Sequence, residues 1–276
     1  MNRQALRALL ALLAAALCAG LITACGDAEE SAAAPAAATL LDETLAATSK
    51  LRSGRFDGRM QLDPDGLLAL GGPIVLRGSG PFAAPEGEAG PRFDLALVAA
   101  IGGQTLKGGT SSTGSRAYLR LDDRSYLLGR YGKRAKSAAK RGGLAVLNLD
   151  PSGWVKSPQT KSQSAPIDGV ETVAIRGELD VARMLADVAK LLDGGTTGGG
   201  VLTPKLRRQI SGAVKSATVE VAAGADDKIL RRLTAFIDFT FPKDEQPPIT
   251  GLDGGRINLR VNLTDVNATT LSLIHI

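Results

Sequence analysis

The residue in this chain best placed for covalent chemistry is Cys25, which directly follows Leu21-Ile22-Thr23-Ala24. An apolar residue, two small residues and a cysteine make a bacterial lipobox, in which the thiol receives a diacylglyceryl thioether. Arg3 and Arg7 precede an uncharged apolar run, Ala8–Leu17, that is too short to span a membrane. An ordinary signal peptide with an incidental Cys25 is the alternative. Charge, length and the cysteine together favour a protein anchored by acyl chains to the extracytoplasmic face of the cell membrane.

Few other side chains in the chain could perform catalysis. The single histidine is His275, and Cys18 lies within the predicted signal. We expect His275 to be foreign, so Ser-His-Asp catalysis, Cys-His catalysis and His or Cys metal sites are excluded. A carboxylate pair or a Ser–Lys dyad stays open, although no motif indicates one. We therefore expect no enzymatic activity, no metal and no cofactor, and the absence of a cysteine pair rules out a disulfide.

Composition divides the chain into four segments. Residues 1–24 form the predicted lipoprotein signal peptide, and residues 25–38, rich in Ala, Glu and Pro, are expected to be a disordered tether. Residues 39–270 are expected to be one folded domain. Residues 271–276 match the translation of a transposase-end sequencing adapter at every position, so we expect this segment to be an artefact and the native C-terminus to lie elsewhere.

The domain contains at least seven predicted strands that are apolar on one face and polar on the other. Three amphipathic helices accompany them, one opening at Thr39, one capped by Asp180 and one opening at Thr203-Pro204. Such strands form antiparallel sheets whose apolar face must be covered, and a large sheet must twist and curve. The sequence therefore predicts an α+β fold, a strongly curved antiparallel β half-barrel with helices covering its concave apolar face.

Basic residues are concentrated between Tyr131 and Arg141, and no acid occurs between Asp123 and Asp150. This run could be a patch for anionic headgroups or simply a solvated loop or helix face, and both interpretations stay open. Nucleic acid is excluded as a partner, because the chain is predicted to be exported and the run lacks interleaved aromatic residues for base stacking.

The order of lipobox, helix, sheet, helix pair and long hairpin resembles the mycobacterial LppX/LprG lipoprotein family, which is related in fold to LolA-like carriers. The resembling segments are STGSRAY at 112–118, DPSGW at 150–154, GVETVAIRGELDVARMLADVAKLL at 169–192, DDKILRRL at 226–233 and LTDVN at 263–267. Their order, rather than any single motif, carries the resemblance. It implies a bent antiparallel half-barrel that binds acylated lipid or lipoglycan in an apolar cavity and carries it across the envelope.

Candidate cavity residues come from the apolar faces of the predicted strands and helices, because the family has no catalytic signature to carry over. These residues are Leu95, Leu97, Val181, Met184, Leu185, Val188, Leu206, Ile210, Val214, Ile237 and Phe239. The expected partners are an acylated lipid or lipoglycan and, through the lipid anchor, the membrane; the protein is expected to be a monomer. A second interpretation stays open, a non-catalytic interaction or sensor lipoprotein with the same fold and a filled core.

Overall fold

The computed structural model describes residues 34–66, 72–83, 92–121, 124–130, 151–192, 203–242 and 251–269. Within these residues the chain forms one sheet of eleven strands. The strands are β1 (Ser53–Asp65), β2 (Ile74–Ala83), β3 (Arg92–Ile101), β4 (Gln104–Thr113), β5 (Arg116–Leu121), β6 (Arg124–Arg130), β7 (Val155–Ile167), β8 (Val170–Leu179), β9 (Val214–Gly224), β10 (Leu230–Thr240) and β11 (Gly254–Thr264). The helices are α1 (Ala34–Thr48), α2 (Val181–Leu192) and α3 (Pro204–Ala213), and a 3-10 turn covers Pro151–Trp154.

Two meanders meet in the middle of this sheet. The strand order is β6-β5-β4-β3-β2-β1-β11-β10-β9-β8-β7, so each half follows the chain from neighbour to neighbour. β1 pairs antiparallel with β11 from Arg55 opposite Thr264 to Asp65 opposite Gly254. The sheet is antiparallel throughout and is not closed, with β6 and β7 at its edges. The predicted α+β half-barrel is thereby confirmed.

Alternation along the strands decides which side chains lie inside. In β10, Leu233, Ala235, Ile237 and Phe239 are buried, while the residues between them are half-buried. β11 follows the same pattern, with Val261 and Leu263 buried as predicted. Since side chains on a strand alternate between faces, the apolar set of each strand joins that of its neighbours on one continuous inner face.

The helices cover one half of this inner face. α1 packs on β7, β8 and β10, α3 packs on β10, and α2 packs on α3 and on the 3-10 turn. Trp154 in that turn is 1% exposed, and its Nε1 donates to Oδ2 of the buried Asp187 at 3.0 Å. Among the described residues, β2 to β6 have no comparable helical cover. The main core therefore lies between the helices and the β7–β10 side of the sheet.

Both predicted caps hold the starts of α2 and α3. The backbone N–H of Arg183 donates to Oδ1 of Asp180 at 3.0 Å, and the backbone N–H of Leu206 donates to Oγ1 of Thr203 at 3.2 Å. Lys156 Nζ lies 3.1 Å from Oδ2 of Asp180. The Arg183 hydrogen bond, aided by the Lys156 ammonium, lowers the pKa of Asp180 against the opposing effect of burial.

The first helix begins earlier than predicted. α1 starts at Ala34, five residues before Thr39, so the end of the predicted tether at 34–38 is helical. Alanine has the highest helix propensity, and Pro35 in the first turn lacks only an N–H that would be unpaired there. Ala37 is fully buried against the core. Burial of this turn and the alanine run together extend the helix past the predicted cap.

Strand β7 and the end of α3 differ from what the sequence predicts. β7 contains Pro158 and many polar residues, and its pairing with β8 is broken by register shifts. It is an edge strand, where proline and polar residues are tolerated. Val214, predicted on the face of α3, is the first residue of β9, because α3 ends at Ala213 and the chain then pairs with β10.

Several predicted features lie outside the described residues. They are the signal peptide 1–24, Cys25, the basic run 131–141 and the segment 271–276. Among the helices that are described, none combines the length and the hydropathy needed to cross a bilayer.

Candidate functional site

A row of three glycines crosses the inner face of β1 to β4. Gly58 on β1 lies opposite Val261 on β11 and opposite Gly78 on β2. Gly78 lies opposite Leu97 on β3, which in turn lies opposite Gly108 on β4. Because glycine has no Cβ, three of these five neighbouring positions present only backbone. The row is the floor of an apolar groove on the inner face.

Aliphatic side chains form the next row. Met60, Leu76, Ala99 and Leu106 lie opposite one another in turn on β1, β2, β3 and β4. The groove encloses a cavity of about 250 Å³. Its lining includes Met60, Leu76, Leu97, Ala99, Leu106, Leu119, Leu121, Leu259 and Val261. These side chains can bury an apolar ligand, but they offer it no acid, base or nucleophile.

The groove is open along β4 and β5. Leu106 is 64% exposed and Leu121 is 47% exposed, although both line the cavity. On the next strand, β6, Tyr126 and Leu127 are also exposed. Large apolar side chains left in water beside an apolar groove are typical of a surface that binds an apolar partner.

Phe56 separates the groove from the main core. It lies two residues before Gly58 on the same face of β1, and a Cβ on Gly58 would lie 2.5 Å from Cζ of the Phe56 ring. The ring therefore folds over the glycine. Phe56 lines the cavity and also packs against the core beneath the helices. Phe56 therefore lies between the groove and the main core, while the groove wall of Met60 and Leu76 belongs to a second, smaller core.

Leu97 is the predicted cavity residue that lies in the groove lining. Leu95 lies two residues before it on the same face of β3, half-buried and opposite Thr110. These two residues were chosen from the alternation of one strand.

The other predicted cavity residues whose side chains are described lie in packed cores. Val181, Leu185 and Ile237 are buried in the main core. Phe239 belongs to a second core, where its ring centroid lies 5.6 Å from that of Phe241 in an edge-to-face contact. Partly buried residues packed against the main core are Met184, Leu206, Ile210 and Val214. Val188 lies on α2, and its side chain is outside the described set.

Most of the groove lining was missed by sequence reasoning. The alternation of residues 54–62 and 92–101 puts Met60 and Ala99 on apolar strand faces, and residues 104–108, which include Leu106, read as a further short strand. What it lacked was the strand register that sets Gly58, Gly78 and Gly108 near one another. A glycine at an inward position of a strand is the signal that could have suggested a gap in the packing.

No group of three or more His, Cys, Asp or Glu side chains that could hold a metal ion occurs among the described residues.

No family model matches the sequence, and no curated protein matches it. Solved structures do resemble the fold. The lipoprotein LppX from Mycobacterium tuberculosis matches with a TM-score of 0.46 and 16% identity, over 86% of this chain and 98% of that one.

LprF from Mycobacterium bovis matches with a TM-score of 0.42 and 18% identity, over 88% of this chain and 97% of that one. This chain is similar to the lipoproteins LppX and LprF. A domain described as an outer membrane lipoprotein-sorting protein, from Vibrio parahaemolyticus, matches with a TM-score of 0.24 and 8% identity, over 87% of this chain and 96% of that one. At such identities a ligand has to be inferred from this chain's own residues.

Proposed function

We propose that this chain is a lipid-anchored, extracytoplasmic lipoprotein that binds the acyl part of a lipid or lipoglycan and carries it across the envelope. The observation that carries the proposal is the open apolar groove on the inner face of β1 to β5. The groove crosses strands β1 to β5, part of its floor is backbone, and most of the side chains that line it are aliphatic. The protein acts as a binding protein and catalyses no reaction.

An acyl chain suits this groove because it is linear and has no polar group to satisfy. Each methylene group removed from water contributes about 0.8 kcal/mol to binding. Binding also covers the exposed side chains of Leu106 and Leu121. Apolar surface of the acyl chain and apolar surface of the protein are therefore both removed from water, and both contribute to the free energy of binding.

The filled core beneath the helices favours a second candidate, an interaction or sensor lipoprotein. Val181 and Leu185 of α2 are buried there in the main core. This candidate explains the β7–β10 half of the sheet. It gives no role to the open groove on the other half, so we favour the carrier.

The predicted anchor keeps the groove near its source of lipid. Eight residues, 26–33, separate Cys25 from the start of α1. A chain of that length spans at most about 30 Å. An acylated Cys25 therefore holds the domain close to the membrane surface, where a carrier would take up its lipid.

The test compares Ala99→Phe with Ala96→Phe in the full-length protein. Ala99 lines the groove, whereas Ala96 lies on the same strand, faces the opposite side and is exposed. A phenyl ring at position 99 occupies the space of three or four methylene groups, so we expect affinity for a fluorescent acylated probe to fall by about two orders of magnitude. The Ala96→Phe protein should bind the probe as the wild type does.

Thermal melting of both variants accompanies the binding measurement. Because the groove is open, Ala99→Phe should melt within a few degrees of the wild type. Unchanged probe affinity in Ala99→Phe, or a wild-type protein that neither binds the probe nor retains acyl species in native mass spectrometry, would reject the carrier and leave the interaction lipoprotein.

A further inference from the structure

The outer face of the same strands carries a row of three arginines. Arg77 on β2 lies directly opposite Arg59 on β1, and Arg59 lies directly opposite Arg260 on β11. All three are exposed, and among the described residues none takes part in an ion pair. Like charges directly opposite each other on neighbouring strands destabilise a sheet. A bound anion would remove this repulsion.

Arg59 and Arg260 also line a cavity of about 440 Å³, together with Arg232. Arg232 Nε donates to Oδ1 of Asn262 at 2.8 Å, which fixes the orientation of its guanidinium group. Arg59 Nη2 donates to Oε1 of Gln61, another lining residue, at 3.0 Å. The cavity therefore presents guanidinium groups on two sides, and at least two of them are held in place before any ligand arrives.

The carboxylates near this cavity do not neutralise Arg59 and Arg260. Glu220 lines the cavity but lies opposite Arg176 on β8. Burial raises the pKa of Glu220, and the charges of Lys161, Arg176 and Arg232 oppose that effect. The carboxylate of Glu220 therefore interacts with three cations, and it lies on the side of the cavity that is far from β1.

A second carboxylate on this face, Asp57, lies two residues before Arg59 on β1. Its partners across the sheet are Asn262 on β11 and Ser79 on β2, so it faces no arginine directly. Two further carboxylates on this face, Asp63 and Asp238, lie opposite Arg256. The arginine row therefore keeps an excess of positive charge over Glu220 and Asp57.

We propose that this outer-face cavity binds the phosphoryl group of a phosphate ester, with Arg59 and Arg260 as its main ligands and Arg232 as a wall. The planar guanidinium group matches two phosphate oxygens at once, which an ammonium group cannot do. The neutral polar residues Gln61, Thr234 and Asn258 complete the lining and suit a small polyol attached to the phosphate. The arginine row lies on the outer face and the apolar groove on the inner face, although Arg59 and Leu259 line both cavities. The proposed phosphate site does not require the proposed acyl binding.

The test titrates the full-length protein, in micelles of a non-ionic detergent, with glycerol 3-phosphate by isothermal calorimetry at about 150 mM salt. We expect saturable binding to the wild type and a loss of affinity of at least about tenfold in Arg59→Gln/Arg260→Gln. The matched control is Arg256→Gln, since Arg256 is exposed on the same face of β11 but lies opposite Asp63 and Asp238. Its affinity should change by less than about twofold.

Thermal melting gives a second readout that does not depend on calorimetry. Without phosphate, Arg59→Gln/Arg260→Gln should melt at or above the wild-type temperature, because it removes like-charge repulsion. Glycerol 3-phosphate should raise the melting temperature of the wild type and of Arg256→Gln, but not that of the double variant. Absence of saturable wild-type binding, or an equal loss in Arg256→Gln, would overturn the proposal.

Mixed micelles containing phosphatidylglycerol identify the source of the phosphate. Weaker apparent binding of glycerol 3-phosphate in these micelles would show that a membrane headgroup competes for the site. Unchanged binding would indicate a soluble phosphate ester. Both results support phosphate recognition, and a cooperative thermal transition shows that the double variant is folded.

Discussion

At the scale of single residues, the glycines of the groove floor shape the groove because they have no side chain. A Cβ on Gly108 would lie 2.7 Å from the backbone oxygen of Arg120, so a larger residue there would push β4 and β5 apart. Gly58 allows the Phe56 ring to fold back along β1. These glycines keep the strands close while leaving the groove floor bare. Ala99, which adds only a methyl group to the wall, is the better position for a variant that fills the groove.

Trp154 and Asp187 form a buried polar contact beneath the helices. We expect Trp154→Phe to lower the free energy of unfolding by about 1–3 kcal/mol, because the carboxylate of Asp187 loses a donor and stays buried. Urea unfolding should be followed by circular dichroism, since Trp154 is the only tryptophan. The control Tyr118→Phe also removes a polar group from an aromatic ring, at a half-exposed position, and should cost less than about 0.5 kcal/mol.

A loss below about 0.5 kcal/mol in Trp154→Phe would contradict this account of the contact. The double variant Trp154→Phe/Asp187→Asn separates the two contributions. If the loss of a donor to the buried carboxylate dominates, the second substitution should recover part of the lost stability.

At the scale of secondary-structure elements, capping decides where α2 and α3 begin. Asp180 and Thr203 each accept a backbone N–H from the first turn of their helix. Both were predicted from sequence, because a cap needs only neighbouring residues. The start of α1 was not, because burial of Ala37 against distant strands extends that helix.

We expect Asp180→Ala to lower the free energy of unfolding by about 1 kcal/mol at pH 7. The pKa of Asp180 is lowered in the folded protein by the Arg183 N–H and by Lys156. The stabilisation is therefore fully present above the unfolded-state pKa of about 4 and is lost as the pH falls through the lower folded-state pKa. Urea unfolding at a series of pH values measures this difference.

The Thr203→Ala variant is the control for that pH series. Thr203 also caps a helix but does not ionise, so its variant should show a difference from the wild type that is the same at every pH. A pH-independent loss in Asp180→Ala would refute the electrostatic part of the interpretation and leave only hydrogen bonding.

At the scale of the whole molecule, one sheet has a packed half and an open half. The helices fill the inner face beside β7 to β10, while the groove lies beside β1 to β5. The packed half supplies stability without disulfides, and the open half is available for a ligand. The two proposed sites lie on opposite faces of the same strands, so an acyl chain and a phosphate ester would not compete for space.

We expect Cys25→Ser to release the protein from the membrane without unfolding it. Serine cannot form the thioether, and residue 25 precedes the first described helix. The control is Cys18→Ser, which lies in the segment predicted to be removed and should leave the protein in the membrane fraction. The measurement is the distribution of each variant between the membrane pellet and the soluble fraction after a high-salt wash. Recovery of Cys25→Ser in the membrane pellet would rule out the lipid anchor.

Local sequence patterns were enough to predict the strands with clear period-two alternation, their inward residues, the capped starts of α2 and α3, and the antiparallel α+β class. These features depend on neighbouring residues and on the need to cover an apolar face. Strand β7 was not predicted, because an edge strand that contains Pro158 needs no such alternation.

The position of the groove became known only from the packing of the folded chain. An apolar stripe such as Val181 and Leu185 has the same pattern whether it faces a packed core or a cavity, so the sequence could not show that these residues are packed. The glycine row and the arginine row depend on strand register between residues distant in the chain, such as Arg59 and Arg260. Register is fixed by long-range pairing and by the packing of the whole inner face, which no local pattern records.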